Sequence, residues 1–113
     1  MKNFVVLYHM NEKAVEEAAK ATPEEREATM EPWFSWAKRC GDKLVDFGTP
    51  LMGGVRLNKD GSTNPSEKGV FGYSILKTES LEDAKSLMEG HPHMAWSDGC
   101  DIEIHESMAV PSA

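Results

Sequence analysis

Two stretches of this chain, Asn3–His9 and Val70–Thr78, are β-rich and apolar on both of their alternating faces. In the first, Phe4, Val6 and Tyr8 fall on one side and Val5 and Leu7 on the other. Such a strand belongs inside a sheet whose two faces are both covered, because a sheet with one wet face shows clean alternation instead. Cys100–Met108 does alternate, with Ile102 and Ile104 inward and Asp101, Glu103 and His105 on the opposite side. Leu44–Phe47 reads as a further, brief strand ended by Gly48-Thr49-Pro50. Gly53–Leu57 can form another, ahead of a polar loop over Asn58–Lys68.

Helical signals fill the gaps. Glu12–Lys20 is rich in helix formers with little to bury. Thr22-Pro23-Glu24-Glu25 then opens a second helix, with Thr22 as N-cap, Pro23 at the first helical position and Glu25 closing a capping box. Met30, Trp33, Phe34, Ala37 and Cys40 follow at helical spacing on one stripe, Gly41 ends it, and Pro32 inside it predicts a kink. Ser80 and Asp83 open another helix, whose stripe is Leu81, Ala84, Leu87 and Met88, with Gly90 and Pro92 stopping it.

In order this is β-α-β-β-α-β, an α+β ferredoxin-like arrangement: a four-stranded antiparallel sheet with its helices on one face. The 113 residues make one domain, spanning 1–113. Roughly two-thirds of the unfolded surface is hidden on folding at this size, enough for a core without staples. Helices on one face leave the other bare, yet the central strands are apolar there too. A second copy packed sheet to sheet, a dimeric α+β barrel, supplies the missing cover, so a homodimer is expected.

Nineteen acidic residues against twelve Lys and Arg give a formal charge of −7, and the basic residues nowhere form a run. Nucleic-acid binding needs clustered basic side chains, so nucleic acid and anionic membrane surfaces are excluded as expected partners. No apolar run approaches the ~20 residues of a membrane span. The short apolar start lacks the cleavage pattern of a signal peptide. Cys40 and Cys100 lie far apart in no CxxC pattern, and a reduced, cytoplasmic protein is the expectation.

Several segments together carry a family likeness: Phe4-Val5-Val6-Leu7-Tyr8-His9, Trp33–Ala37, Gly41–Pro50, Gly72–Ile75, Ser80–Ala84 and Glu89–His93. In that order they resemble the YCII-related proteins and their DGPF-type relatives, from Lys2 to about Met108. The resemblance implies the dimeric α+β barrel. It also implies an active-site Asp and His, the Asp falling on Asp46. The family's first-helix His has no match among Met30–Trp36, and its later Asp-Pro-aromatic element stands here as His91-Pro92-His93. A dyad in this chain is therefore rebuilt from different residues.

Asp46, at a strand end beside a Gly/Pro turn, reads as a buried acid or base, or as a carboxylate capping its own turn. In an extended segment His91 and His93 point the same way and face one ligand for acid–base work, or else they satisfy the last carbonyls of the preceding helix. A metal use is weaker, since HxH lacks a third ligand at diagnostic spacing. Glu103 and His105 share the polar face of the last strand, as a working pair inside a barrel or as solvated side chains. His9 ends the first strand. Trp33 is expected in the core, whereas Trp36 and Trp96 are candidates to wall an apolar pocket. Cys40 reads as a buried small apolar residue.

The expected function is a small-molecule pocket with isomerase- or lyase-type proton transfer by Asp46 and His91. His93, Trp96, Glu103, His105 and His9 are its candidate ligand contacts. The competing expectation is a non-catalytic ligand- or protein-binding module of the same dimeric fold. No nucleotide loop, nucleophile elbow, zinc spacing or dinucleotide fingerprint occurs, so neither cofactor nor metal is expected.

Overall fold

In the computed structural model, which describes residues 1–111, the two doubly apolar segments lie side by side at the centre of one sheet. They are β1 (Lys2–Met10) and β5 (Val70–Thr78), paired antiparallel from Lys2↔Thr78 to Tyr8↔Gly72. β6 (Cys100–Ser107) pairs with the other side of β1, and β2 (Leu44–Asp46) with the other side of β5. The order β2-β5-β1-β6 is the ferredoxin-like sheet expected from the element order, all antiparallel. Strands with two apolar faces therefore occupy the middle, and the short β2 and the alternating β6 form the edges.

α1 (Glu12–Ala19), α2 (Pro23–Cys40), α3 (Leu81–Leu87) and α4 (Pro92–Trp96) connect the strands, with a 3-10 turn at Gly41–Lys43. The core lies between helices and sheet. Phe4, Val6 and Tyr8 of β1 and Ser74, Leu76 and Thr78 of β5 point into it, as alternation requires. The capping box forms as read: Glu25 N–H donates to Thr22 Oγ1 at 3.1 Å and Thr22 N–H to Glu25 Oε1 at 3.4 Å. Helix α2 runs through Pro32 as one element.

Two helix stripes differ from expectation. Phe34 is 55% exposed, whereas Trp36 is fully buried and donates its indole N–H to the Leu87 carbonyl at 2.8 Å. The buried seam runs Trp33, Trp36, Ala37, Cys40, the i, i+3, i+4, i+7 row, and Phe34 sits about 100° round from Trp33. Trp36 is thus core rather than pocket wall. On α3, Leu81 is exposed, while Ala84, Leu87 and the C-cap residue Met88 carry the contact.

Gly53–Leu57 does not join the main sheet. β3 (Val55–Leu57) pairs with β4 (Thr63–Pro65), inside the segment read as a loop, to make a separate hairpin. The chain leaves the sheet beside β5, through a Pro50–Gly72 bridge and Leu51 N–H to the Phe71 carbonyl at 3.0 Å. It returns at Gly69, whose carbonyl accepts from Met10 N–H at 2.9 Å.

The face of the sheet away from the helices bears Val5 and Leu7 of β1 and Phe71, Tyr73 and Ile75 of β5, all half-buried in the single chain. Asp101, Glu103 and His105 line its β6 edge. Among the described residues, no helix is long and apolar enough to cross a membrane.

Candidate active site

At one end of the sheet, where β5 begins and β2 finishes, a cleft of about 70 Å³ opens between helix α2 and the turn after β2. Tyr8, Met30, Trp33, Phe47, Pro50 and Tyr73 wall it, so four of these six side chains are aromatic. The turn is set by Asp46, whose Oδ1 accepts from Gly48 N–H at 2.8 Å. Gly48 has φ +79°, and a Cβ there would collide with the Tyr73 carbonyl oxygen, so only glycine brings the turn this close to β5. The second carboxylate oxygen of Asp46 accepts from the Tyr73 hydroxyl at 3.4 Å.

Behind this wall runs a directed hydrogen-bond chain. Ser74 Oγ donates to the Phe47 carbonyl at 2.7 Å, and a carbonyl can only accept. The Tyr8 hydroxyl, 2.8 Å from Ser74 Oγ, must then be the donor of that pair. Tyr8 is 2% exposed, and burial pushes its phenol pKa well above the usual value. It stays neutral, with an oxygen lone pair left to accept.

His91 is entirely buried one layer deeper. Its ring stacks on Tyr8 at 5.1 Å between centroids and meets the rings of Trp33 and Trp36 edge-on at 4.4 and 4.5 Å. The segment is not extended: His91 is the N-cap of α4, and its Nδ1 accepts from His93 N–H at 3.0 Å. The proton of the neutral ring is therefore on Nε2, which has no partner among the described residues. Burial, with smaller effects from His93 and Arg39, pushes the His91 pKa down to about 3. His93 turns elsewhere. Its Nε2 lies 2.9 Å from the His9 carbonyl and donates to it, tying α4 to the end of β1, and burial lowers its pKa as well.

Asp46 and His91 do not form the expected pair. Asp46 is exposed, not buried, because β2 is a three-residue edge strand with a register shift before Asp46. Its carboxylate reaches Tyr73, on the opposite side of β5 from the core-facing Ser74, whereas His91 sits within the helix-covered core. Trp96, at the end of α4 and 37% exposed, is not part of the cleft wall.

The other candidates gather at the β6 edge. Glu103 Oε1 is 2.7 Å from His105 Nε2, and its Oε2 is 3.9 Å from His9 Nε2. Glu103 and His105 are more than half exposed, and the hydrogen bond from His105, then the nearby His9, lowers the Glu103 pKa. A hollow of about 280 Å³ lies nearby, against His9, Asn11, Lys68, Asp98 and Asp101. It is wider than the cleft, but its lining is mostly polar and its carboxylates and Lys68 are exposed. An apolar wall with a few convergent polar groups is the better ligand site. Among the described residues, no three His, Cys, Asp or Glu side chains converge to hold a metal.

Tyr8, Ser74 and Tyr73 were not singled out from the sequence, although a signal exists. Ser74 interrupts an apolar strand at a core-facing position, and a buried hydroxyl there demands a partner such as a facing Tyr.

No family model and no curated protein matches the chain. Among solved structures, it is similar to 5-chloro-2-hydroxyhydroquinone dehydrochlorinase from Burkholderia phenoliruptrix, determined in complex with 2,5-dihydroxybenzoquinone. The TM-score is 0.52 at 14% identity, over 89% of this chain and 90% of that one. At this identity the likeness is one of fold.

Proposed function

We propose that residues 1–113 form one YCII-like unit, a cytoplasmic homodimer that takes a small hydroxylated ring into the Tyr8–Trp33–Phe47–Tyr73 cleft. Tyr73 and Asp46 move a proton on that ring. The aromatic wall around a hydrogen-bond chain that presents acceptors carries this reading. Tyr8 has its own proton committed to Ser74 and offers a lone pair, and Asp46 offers a carboxylate through Tyr73. Such a lining favours a ligand with hydroxyl donors and disfavours a carboxylate, which would meet acceptors and like charge. The fold neighbour was determined with a dihydroxylated six-membered ring, 2,5-dihydroxybenzoquinone, bound.

Proton transfer then runs between the ligand and Tyr73 Oη, with Asp46 taking or returning the phenolic proton. His91 supports the site by stacking on Tyr8 and does not titrate with the substrate. Glu103, His105 and His9 lie at the β6 edge, outside the cleft wall. The 70 Å³ cleft is smaller than the roughly 150 Å³ cavity that holds benzene, so a ring enters by displacing the adaptable Met30. Asp46 also caps its own turn, the observation that favours a binding module without turnover.

Titration with hydroquinone, whose phenolic hydroxyls stay neutral at pH 7, read by tryptophan fluorescence, tests the site. Wild type is expected to quench and saturate, and Met30→Trp, which plugs the cleft, to abolish saturation. Equal quenching in both proteins places the ligand elsewhere. Wild-type exchange of the ring hydrogens of bound hydroquinone with D2O, lost in Asp46→Asn, marks turnover chemistry. Binding without exchange in wild type leaves the module reading.

A further inference from the structure

The β3–β4 hairpin is too exposed to be stable alone. Its strands pack mainly on one another. A lone two-stranded hairpin is marginal in water, and this one points apolar side chains outward: Met52 is 88% exposed, Leu57 73% and Val55 69%. The dimensions agree. The radius of gyration is 15.6 Å, against about 13 Å for a compact domain of this length. The accessible surface is 8238 Å², about 2,000 Å² above the value for a compact monomer of this mass. The exposed residues Met108–Pro111 after β6 supply part of the excess, and the hairpin with the uncovered sheet face adds to it. Even half of it, hidden on each of two copies, totals about 2,000 Å², the upper end of a standard protein interface.

We infer that the Leu51–Ser66 hairpin is a dimerisation arm, which lays Met52, Val55 and Leu57 on a second copy of this chain. The inference rests on the homodimer reading and deepens it by naming the segment that holds the copies together. A second copy is the occupant the area fits. It also carries the same uncovered apolar face of Val5, Leu7, Phe71, Tyr73 and Ile75, so a two-fold axis satisfies two arms and two faces at once. The arm leaves from Pro50, in the turn that walls the cleft, so its anchoring on a partner also fixes that wall.

Sedimentation equilibrium of the full chain and of a Val55→Asp, Leu57→Lys double variant tests this. Both positions are exposed in the single chain, so the variant keeps its circular dichroism spectrum. The expected result is a wild-type dimer and a variant whose dissociation constant rises by roughly thirtyfold or more, the loss of one interface hot spot. Amide exchange at Val55–Leu57 is expected to slow with wild-type concentration. A wild-type dimer with an equally tight variant overturns the arm and leaves the homodimer standing. A wild-type monomer at high concentration overturns both.

Discussion

Ser74 shows how one buried hydroxyl organises the site. It accepts from Tyr8 of the neighbouring strand and donates to Phe47 at the end of β2, so a single oxygen ties three segments at the cleft. His91 makes the complementary point about charge. Its folded pKa of about 3 lies below the 6.5 of an unfolded chain, so between those values the unfolded state binds the extra proton. Stability is fully present above about pH 6.5 and falls as pH drops toward 3, by up to about 1.4 kcal/mol per pH unit. Urea unfolding across that window checks this, with His91→Asn as control. The asparagine oxygen still caps His93 N–H, and the His91 share of the slope should vanish. An unchanged slope in the variant would assign the pH dependence to other groups.

At the scale of elements, much of the fold is legible because its signals are local. The capping box at Thr22, the paired faces of β1 and β5 and the alternation of β6 each follow from short-range stereochemistry. What was not legible depends on where elements meet. The helical stripe admits both Phe34 and Trp36 within one turn, and only packing against α3 selects Trp36. Asp46 and His91 look like partners when read as strand end and helix end. The pleat sends the Asp46 carboxylate toward Tyr73, and the cap of α4 draws His91 into the core. The His-Pro-His element reads as extended until Pro92 is seen to start a helix rather than stop one. Gly48 is the element-level weak point. Ala there must hold φ near +79° against the Tyr73 carbonyl, an expected cost of about 1–3 kcal/mol in urea unfolding, with weaker hydroquinone binding as the turn withdraws.

For the molecule as a whole, one end of the sheet gathers the working parts. The cleft and the arm's departure at Pro50 lie where β1 finishes and β5 begins, and the His9–Glu103–His105 cluster runs from there along β6 to His105, opposite Val5. The opposite end carries the Lys2–Glu106 surface pair at 3.7 Å. An exposed pair of this kind contributes little. The net charge of −7 disfavours anionic ligands at long range, in keeping with a cleft lined by acceptors.

The central claim, that the aromatic cleft is the ligand site, is tested most directly by amide and indole chemical shifts during titration with hydroquinone. The account predicts that shifts concentrate at Gly48, Thr49, Tyr73 and the Trp33 indole and saturate together. Shifts centred instead on Asn11, Lys68, Gly69 and Gly99, in the open polar hollow, would contradict it.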